Sequence, residues 1–320
     1  MSLGRNVNRS ETTGNGESAP TPQASLDAAR GRAETVAMPA SSQDEARAAL
    51  EAAGQLPDAE IDLAATALQF ARIDAPGADW RRAAETLTGV ARLAVASAAA
   101  DPIADGGDLS ARRAVLARVI HELFHFAGDA ETYDDLANAN LIQVLERKRG
   151  LPVALGILWL HAAEAAGWGA HGVDFPGHFL IALEGERAQQ VIDVFGGGEA
   201  LEAPALRGLL KRIEGEAAEL RPGLLRPMGK REVLLRLQNN IKLRRLKAGD
   251  LKGALDCTDD MLRLAPDAAP LWREAGLMNQ RLERIGAALA CFDRFLDLVP
   301  EGDAAARIRA LTIELRQRLN

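Results

Sequence analysis

Between Thr132 and Cys257 the chain contains no Ser, Thr or Cys, so that stretch offers no aliphatic hydroxyl or thiol as a nucleophile. Cysteine is scarce throughout. Only Cys257 and Cys291 occur, too few for a disulfide-rich scaffold or a four-cysteine zinc site. Long apolar runs are also missing: the longest, residues 151–160, is too short to cross a bilayer and reads as a buried helix. The N-terminus lacks the basic, apolar and small-residue succession of a secretory signal, which predicts a cytoplasmic protein with no membrane partner.

What is present fits a globular protein. The 320 residues are enough for about two domains, and 48% hydrophobic with 26% charged residues is ordinary for a packed chain. The net charge of −7 is unevenly spread, because residues 205–252 carry thirteen Lys or Arg against five Asp or Glu. Such a stretch can face nucleic acid, but it reads more simply as a helical face balancing acidic neighbours, and no nucleic-acid partner is expected.

Residues 1–44 hold few large apolar side chains and read as a disordered tail. From Asp44 the periodicity turns helical. Ile61, Leu63, Ala64, Leu68 and Ala71 form one apolar stripe, Trp80 opens another segment, and residues 109–126 form a third, together a helical layer over 45–128. A core follows over 129–204, where Val173, Phe175, Phe179, Ile181, Leu183, Val191, Ile192, Val194 and Phe195 lie in short runs broken by Gly and Pro, the pattern of a small antiparallel sheet. Linker helices are predicted over 205–229.

From residue 230 to 320 the chain repeats with a period of 34. Ala254 matches Ala288, Leu255 matches Leu289, Cys257 matches Cys291, Leu262 matches Leu296 and Pro266 matches Pro300. Trp272, Gly276, Ala288, Phe292 and Pro300 stand at the tetratricopeptide spacing, in which large and small residues alternate so that paired helices nest. The two cysteines then serve as small packing residues on equivalent helix faces. A helix over 230–247 and an amphipathic segment over 304–319 are expected to close the array.

Two sets of residues carry candidate chemistry. With Gly185 and Glu186 as a two-residue hairpin loop, His178 falls opposite Asp193, roughly 5 Å apart at Cβ. That aspartate then orients the imidazole, as in a nucleophile triad, or the two satisfy each other structurally. The second set is His121, Glu122 and His125, an H-E-x-x-H spacing that on a helix aligns two imidazoles for zinc, with Glu146 as a conceivable third ligand. His161 and His171 read as packing or surface histidines.

The block VLERKRGLPVAL, the helix ending in AAGWG, then VDFPGHFLI and IDVFGGG resemble the transglutaminase-like core of the SirB-one family, which joins this core to C-terminal tetratricopeptide repeats. The resemblance spans about residues 45–305 and includes Asp135 and Asn138 before the VLERKRG motif. It implies an α+β fold and places His178 and Asp193 on the base and orienter positions of a papain-like site. The cysteine that such enzymes keep at the start of the central helix is absent, because that start reads Leu151, Pro152, Val153, Ala154, Leu155.

The expectation is therefore a helical N-terminal layer, a transglutaminase-like core with a small antiparallel sheet over 45–229, and a repeat module over 230–320. Its function is expected to be non-catalytic binding of a protein or peptide, with Glu146, Arg149, Pro152, Phe175, His178 and Asp193 as cleft residues and no cofactor. The alternatives are a hydrolase or transferase using His178 and Asp193 without a protein thiol, and a zinc hydrolase using His121 and His125.

Overall fold

The computed structural model describes residues 41–221 and 223–318. Among the described residues five α-helices come first: α1 (Ser42–Gly54), α2 (Leu63–Asp74), α3 (Trp80–Ala99), α4 (Pro102–Asp105) and α5 (Leu109–Ala117). The core brings β1 (Ala127–Gly128), α6 (Leu141–Arg147), β2 (Arg149–Gly150), α7 (Pro152–Ala165), β3 (Ala170–Phe175), β4 (His178–Glu184), β5 (Gln189–Asp193), β6 (Glu199–Ala200), α8 (Ala203–Glu214) and β7 (Arg226–Met228). Then come α9 (Lys230–Lys247), α10 (Leu251–Leu264), α11 (Ala269–Arg281), α12 (Ile285–Leu298) and α13 (Asp303–Gln317). Among the described residues no helix is long and apolar enough to cross a membrane.

Most of the tail predicted over 1–44 lies outside the described residues, but its last residues are helical. Ser41 and Asp44 form a reciprocal capping box that starts α1 at Ser42. Asp62, Asp79, Asp101, Asp108 and Asp250 cap α2, α3, α4, α5 and α10, each accepting a hydrogen bond from a first-turn amide. Such caps contribute about 1 kcal/mol apiece.

Helix α7 is buried from Pro152 to Leu160 and packs against α2, α3, α9 and strands β3 and β4. A helix apolar on all sides belongs in a core. The main sheet runs in the order β6-β5-β4-β3-β7, antiparallel throughout. Its alternate residues feed two cores: Phe179, Ile181, Leu183, Ile192 and Val194 join the main core around α7, while Val173, Phe175, Leu180, Ala182 and Val191 meet Leu206 and Leu210 of α8.

Residues 205–229 are therefore more than linker helices. Helix α8 closes the second face of the sheet, and Arg226, Pro227 and Met228 add an edge strand, where a proline costs no central ladder bond. The β4–β5 loop also differs from expectation. It spans residues 185–188, with Gly185 N bonded to Ala188 O at 2.8 Å, and Glu184 pairs with Gln189 rather than with residue 187.

The repeats have the predicted period, since α10 and α12 start and end 34 positions apart. There is no packing break at residue 230. Leu255, Met261 and Leu271 share one core with Leu50, Leu68 and Leu234. Asp58, just before α2, accepts the Lys230 and Arg231 amides at 2.8 Å each and so caps α9 from a distance of 172 residues or more in sequence. The Arg231 side chain donates to Leu264 O, Gly54 O and Leu56 O, tying the ends of α1 and α10 together.

The H-E-x-x-H segment does not form a metal-binding helix face. Residues Arg118–Leu123 wind as a π-helix, and His125 lies beyond it in a left-handed conformation with φ 60°. His121 Nδ1 lies 2.7 Å from Phe126 O, and Trp159 Nε1 donates to His121 Nε2 at 3.2 Å. These partners fix a neutral imidazole with its proton on Nδ1 and leave no lone pair for a metal. Glu146 is exposed on α6, and no cluster of three metal-ligating side chains occurs among the described residues.

Two expectations follow from this packing. An added Cβ at Gly156 of α7 runs into the ring of Phe179, which is 2% exposed and has no room to turn aside. Gly156→Ala is expected to lower stability by about 1–3 kcal/mol in denaturant unfolding, the usual cost of overpacking. Burial holds the His121 imidazole below its ordinary value of 6.5, against the Phe126 carbonyl, which raises it. A depressed folded pKa makes stability fully present above the unfolded value and lost as pH falls below it. Wild-type unfolding free energy should therefore drop more steeply than that of His121→Gln as the pH falls below about 6.5.

Candidate functional site

His178 and Asp193 stand at the ends of β4 and β5. Pro176 and Gly177 turn β3 into β4, with Gly177 at φ 63°, a left-handed position suited to glycine, so that Phe175 pairs with His178. Asp193 ends β5, and its carboxylate accepts the Phe195 amide at 3.0 Å and the Gly196 amide at 3.4 Å. His178 Nε2 lies 3.3 Å from Asp193 Oδ1.

The predicted direct pairing of these two residues is corrected by the four-residue loop. The ladder shifts by two positions, so they meet diagonally rather than face to face. A shift by an even number keeps side chains on the same side of a sheet, which is why the contact survives. Burial works against ionisation of Asp193, but the His178 contact and the two amides outweigh it and hold its carboxyl below the ordinary value. By strand alternation the dyad belongs with Leu180 and Val191, the α8 side, whereas Phe179 and Ile192 face the α7 core.

The start of α7 is built by a separate scaffold. The short parallel pair β1–β2 leads into it, and Leu151 N donates to Asn138 O at 2.9 Å. Asp129 accepts the Thr132 amide at 2.8 Å, the Thr132 hydroxyl at 2.6 Å and Arg147 Nη2 at 3.1 Å. The Thr132 hydrogen bonds, with Arg147, pull its pKa down to about 2. Asn138 joins by donating to Thr132 O and accepting from Arg147. All this order presents only Leu151, Pro152, Val153 and Ala154, each buried.

The two cysteines are equally remote from acyl-transfer chemistry. Cys257 and Cys291 are buried on α10 and α12, and burial pushes the Cys257 thiol up to about 12. A thiol so disfavoured as thiolate is a packing residue.

The structure disperses the remaining predicted cleft residues. Glu146 and Arg149 are exposed, the Arg149 guanidinium donating to the neighbouring Lys148 carbonyl. Pro152 is buried at the first turn of α7. Phe175, 1% exposed, is the cross-strand partner of His178 but packs beneath α8. His161 bonds Leu87 O at 3.1 Å and His171 bonds Glu184 at 2.6 Å, in keeping with structural roles.

Sequence reasoning missed the residue that reaches the dyad from outside the sheet. Arg236 of α9 donates to His178 O at 2.9 Å and to Asp174 Oδ1 at 2.6 Å. One and two turns further along α9, Asn240 accepts from Arg244, and Arg244 donates to Tyr133 O and Asp134 O. Tyr133 in turn meets the Phe195 ring edge-on at 5.9 Å. The i, i+4, i+8 spacing of these α9 residues was the only available signal, and without the fold it pointed at no particular target.

Comparison with known proteins agrees with this architecture. A family profile described as the transglutaminase-like superfamily matches residues 81–239, and a tetratricopeptide-repeat profile matches residues 241–312. A UPF0162 protein of Xylella fastidiosa is 30% identical over 207 residues, covering 64% of this chain and 74% of the relative. A UPF0162 protein of Vibrio cholerae is 29% identical over 202 residues, covering 63% and 75%. One of Pseudomonas aeruginosa is 32% identical over 144 residues, covering 45% and 52%. With its transglutaminase-like domain followed by tetratricopeptide repeats, the chain belongs to the UPF0162 family.

Proposed function

We propose that this protein is a non-catalytic, cytoplasmic binding protein whose His178–Asp193 end of the sheet and α9–repeat surface hold a peptide or protein segment. The supporting observation is the start of α7, where four buried aliphatic residues stand in place of a nucleophile. An oriented imidazole that, among the described residues, bonds no hydroxyl or thiol can still donate and accept hydrogen bonds, which is what a binding surface uses. Arg236 links that surface to the helix that leads into the repeats, so both parts meet a ligand as one body.

The His178–Asp193 hydrogen bond also suits a second reading, hydrolysis by imidazole-activated water. An amidase and esterase panel separates the two. Wild type and His178→Ala are expected to give the same background turnover, and a rate that depends on His178 would replace the binding reading with the hydrolytic one. For binding, peptides selected by display on the intact chain should bind the His178→Leu, Asp193→Leu double variant several-fold more weakly in calorimetry. The Cys257→Ala, Cys291→Ala variant should bind them within a few-fold of wild type. Unchanged affinity in the folded double variant would move the function away from this end of the sheet.

A further inference from the structure

Strand β3 has a partner on each side, but β7 covers only part of one of them. Gly169 O accepts the Glu184 amide of β4 at 2.8 Å, so by alternation residues 169, 171, 173 and 175 turn their backbone groups to β4, and residues 170, 172 and 174 turn theirs the other way. On that side Gly172 and Asp174 meet Met228 and Arg226 of β7. Beyond Met228 the chain leaves the sheet at Gly229, and the Lys230 and Arg231 amides go to Asp58. Among the described residues the Ala170 N–H and C=O therefore have no partner.

This open edge borders a cavity of about 470 Å³. The cavity floor is apolar, made of Leu63, Leu160, Trp168, Met228 and Val233, each at most 7% exposed. An added Cβ at Gly172 would meet Val233, so the face of β3 that carries residues 170 and 172 is the one turned toward this floor. The rim is acidic. Asp58 and Glu164 line the cavity and Glu60 and Asp62 line the adjoining hollow, while against these four carboxylates stands the Lys230 ammonium, 2.7 Å from Glu164.

We propose that this edge binds an extended basic segment of another protein, which adds to β3 as one more antiparallel strand at Ala170. A residue of the segment placed opposite Ala170 exchanges N–H···O=C bonds with it in both directions, the complement of the two open groups. Its side chain lies on the same face as that of Ala170 and enters the apolar cavity. Side chains two residues to either side share that face, and a lysine or arginine there answers the carboxylates of the rim. Ala170 lies at the other end of β3 from Phe175, the cross-strand partner of His178, so this surface is separate from the dyad and the inference does not rest on the proposed function.

Its test is calorimetry of the full-length protein with a blocked heptapeptide of threonines that has valine at its centre and lysine two residues to either side. This peptide is expected to bind at least about tenfold more tightly than the same peptide with glutamate for lysine or with glycine for valine. N-methylation of the central valine removes the donor to Ala170 O without altering the protein, and is expected to weaken binding at least about fivefold. Ala170→Pro, whose fold is checked by circular dichroism, should weaken it similarly, because proline there removes the open N–H and no bond to β4. The His178→Leu, Asp193→Leu variant should bind as wild type does. The proposal is overturned by the absence of binding at millimolar peptide, by equal affinities for the three peptides, or by an affinity indifferent to N-methylation or to Ala170→Pro. Loss of binding in the folded double variant overturns it as well, since the peptide would then sit at the dyad.

Discussion

Burial of α7 is the constraint on which the rest of the structure depends. Its apolar side chains leave no face for water, so the chain must surround it, and it does so with α2 and α3 from the N-terminal layer, β3 and β4 from the sheet, and α9 from the helix that leads into the repeats. Gly156 lets the Phe179 ring come against the helix, which sets how closely the sheet approaches. Once β4 is positioned by Phe179, Ile181 and Leu183, the residues between them are turned to the opposite side, and α8 is needed to cover them.

The second organising element is α9, which holds seven of the thirteen basic residues of the stretch over 205–252. Arg231 ties the ends of α1 and α10 together, Arg236 reaches β3 and β4, Arg244 holds the loop at Tyr133, and Arg245 pairs with Asp74 of α2. Lys242, almost fully buried, pairs with Glu274 on α11. Guanidinium groups that donate to helix-end carbonyls and carboxylates inside the fold act as structural brackets. The positive charges of α9 thus answer carboxylates and carbonyls contributed by the preceding layer and the repeats, and the repeat module shares one core with the layer before it.

Much of this was legible in the chain. The apolar run over 151–160, the period of 34 and the alternation around Phe179 and Ile181 each reflect a local geometry, a buried helix, a stacked helix pair and a half-buried strand, so pattern alone identified them. The pairing of His178 with Asp193 was legible only as to side. Parity survives an error of two residues in register, whereas the position of the turn depends on how residues 185–188 close, and glycine at 185 suits more than one loop. His121 and His125 show the opposite failure. A correct spacing was read onto an α-helix, but the segment is a π-helix that ends before His125, and Trp159 and the Phe126 carbonyl occupy the His121 nitrogens.

By itself the sequence determined the order of helices and strands, the aspartate caps, the repeats, and the lack of a hydroxyl or thiol at the head of the central helix, because each is a property of residues close together in the chain. Only the tertiary structure decided that Phe175 lies beneath α8, that Glu146 and Arg149 stand apart from His178, that Arg236 reaches the dyad, and that Leu63 and Val233 line one cavity beside the Ala170 edge of β3. Those outcomes depend on side chains separated by tens of residues being brought to one place. Such meetings are set by which faces are buried together, and no local pattern encodes them.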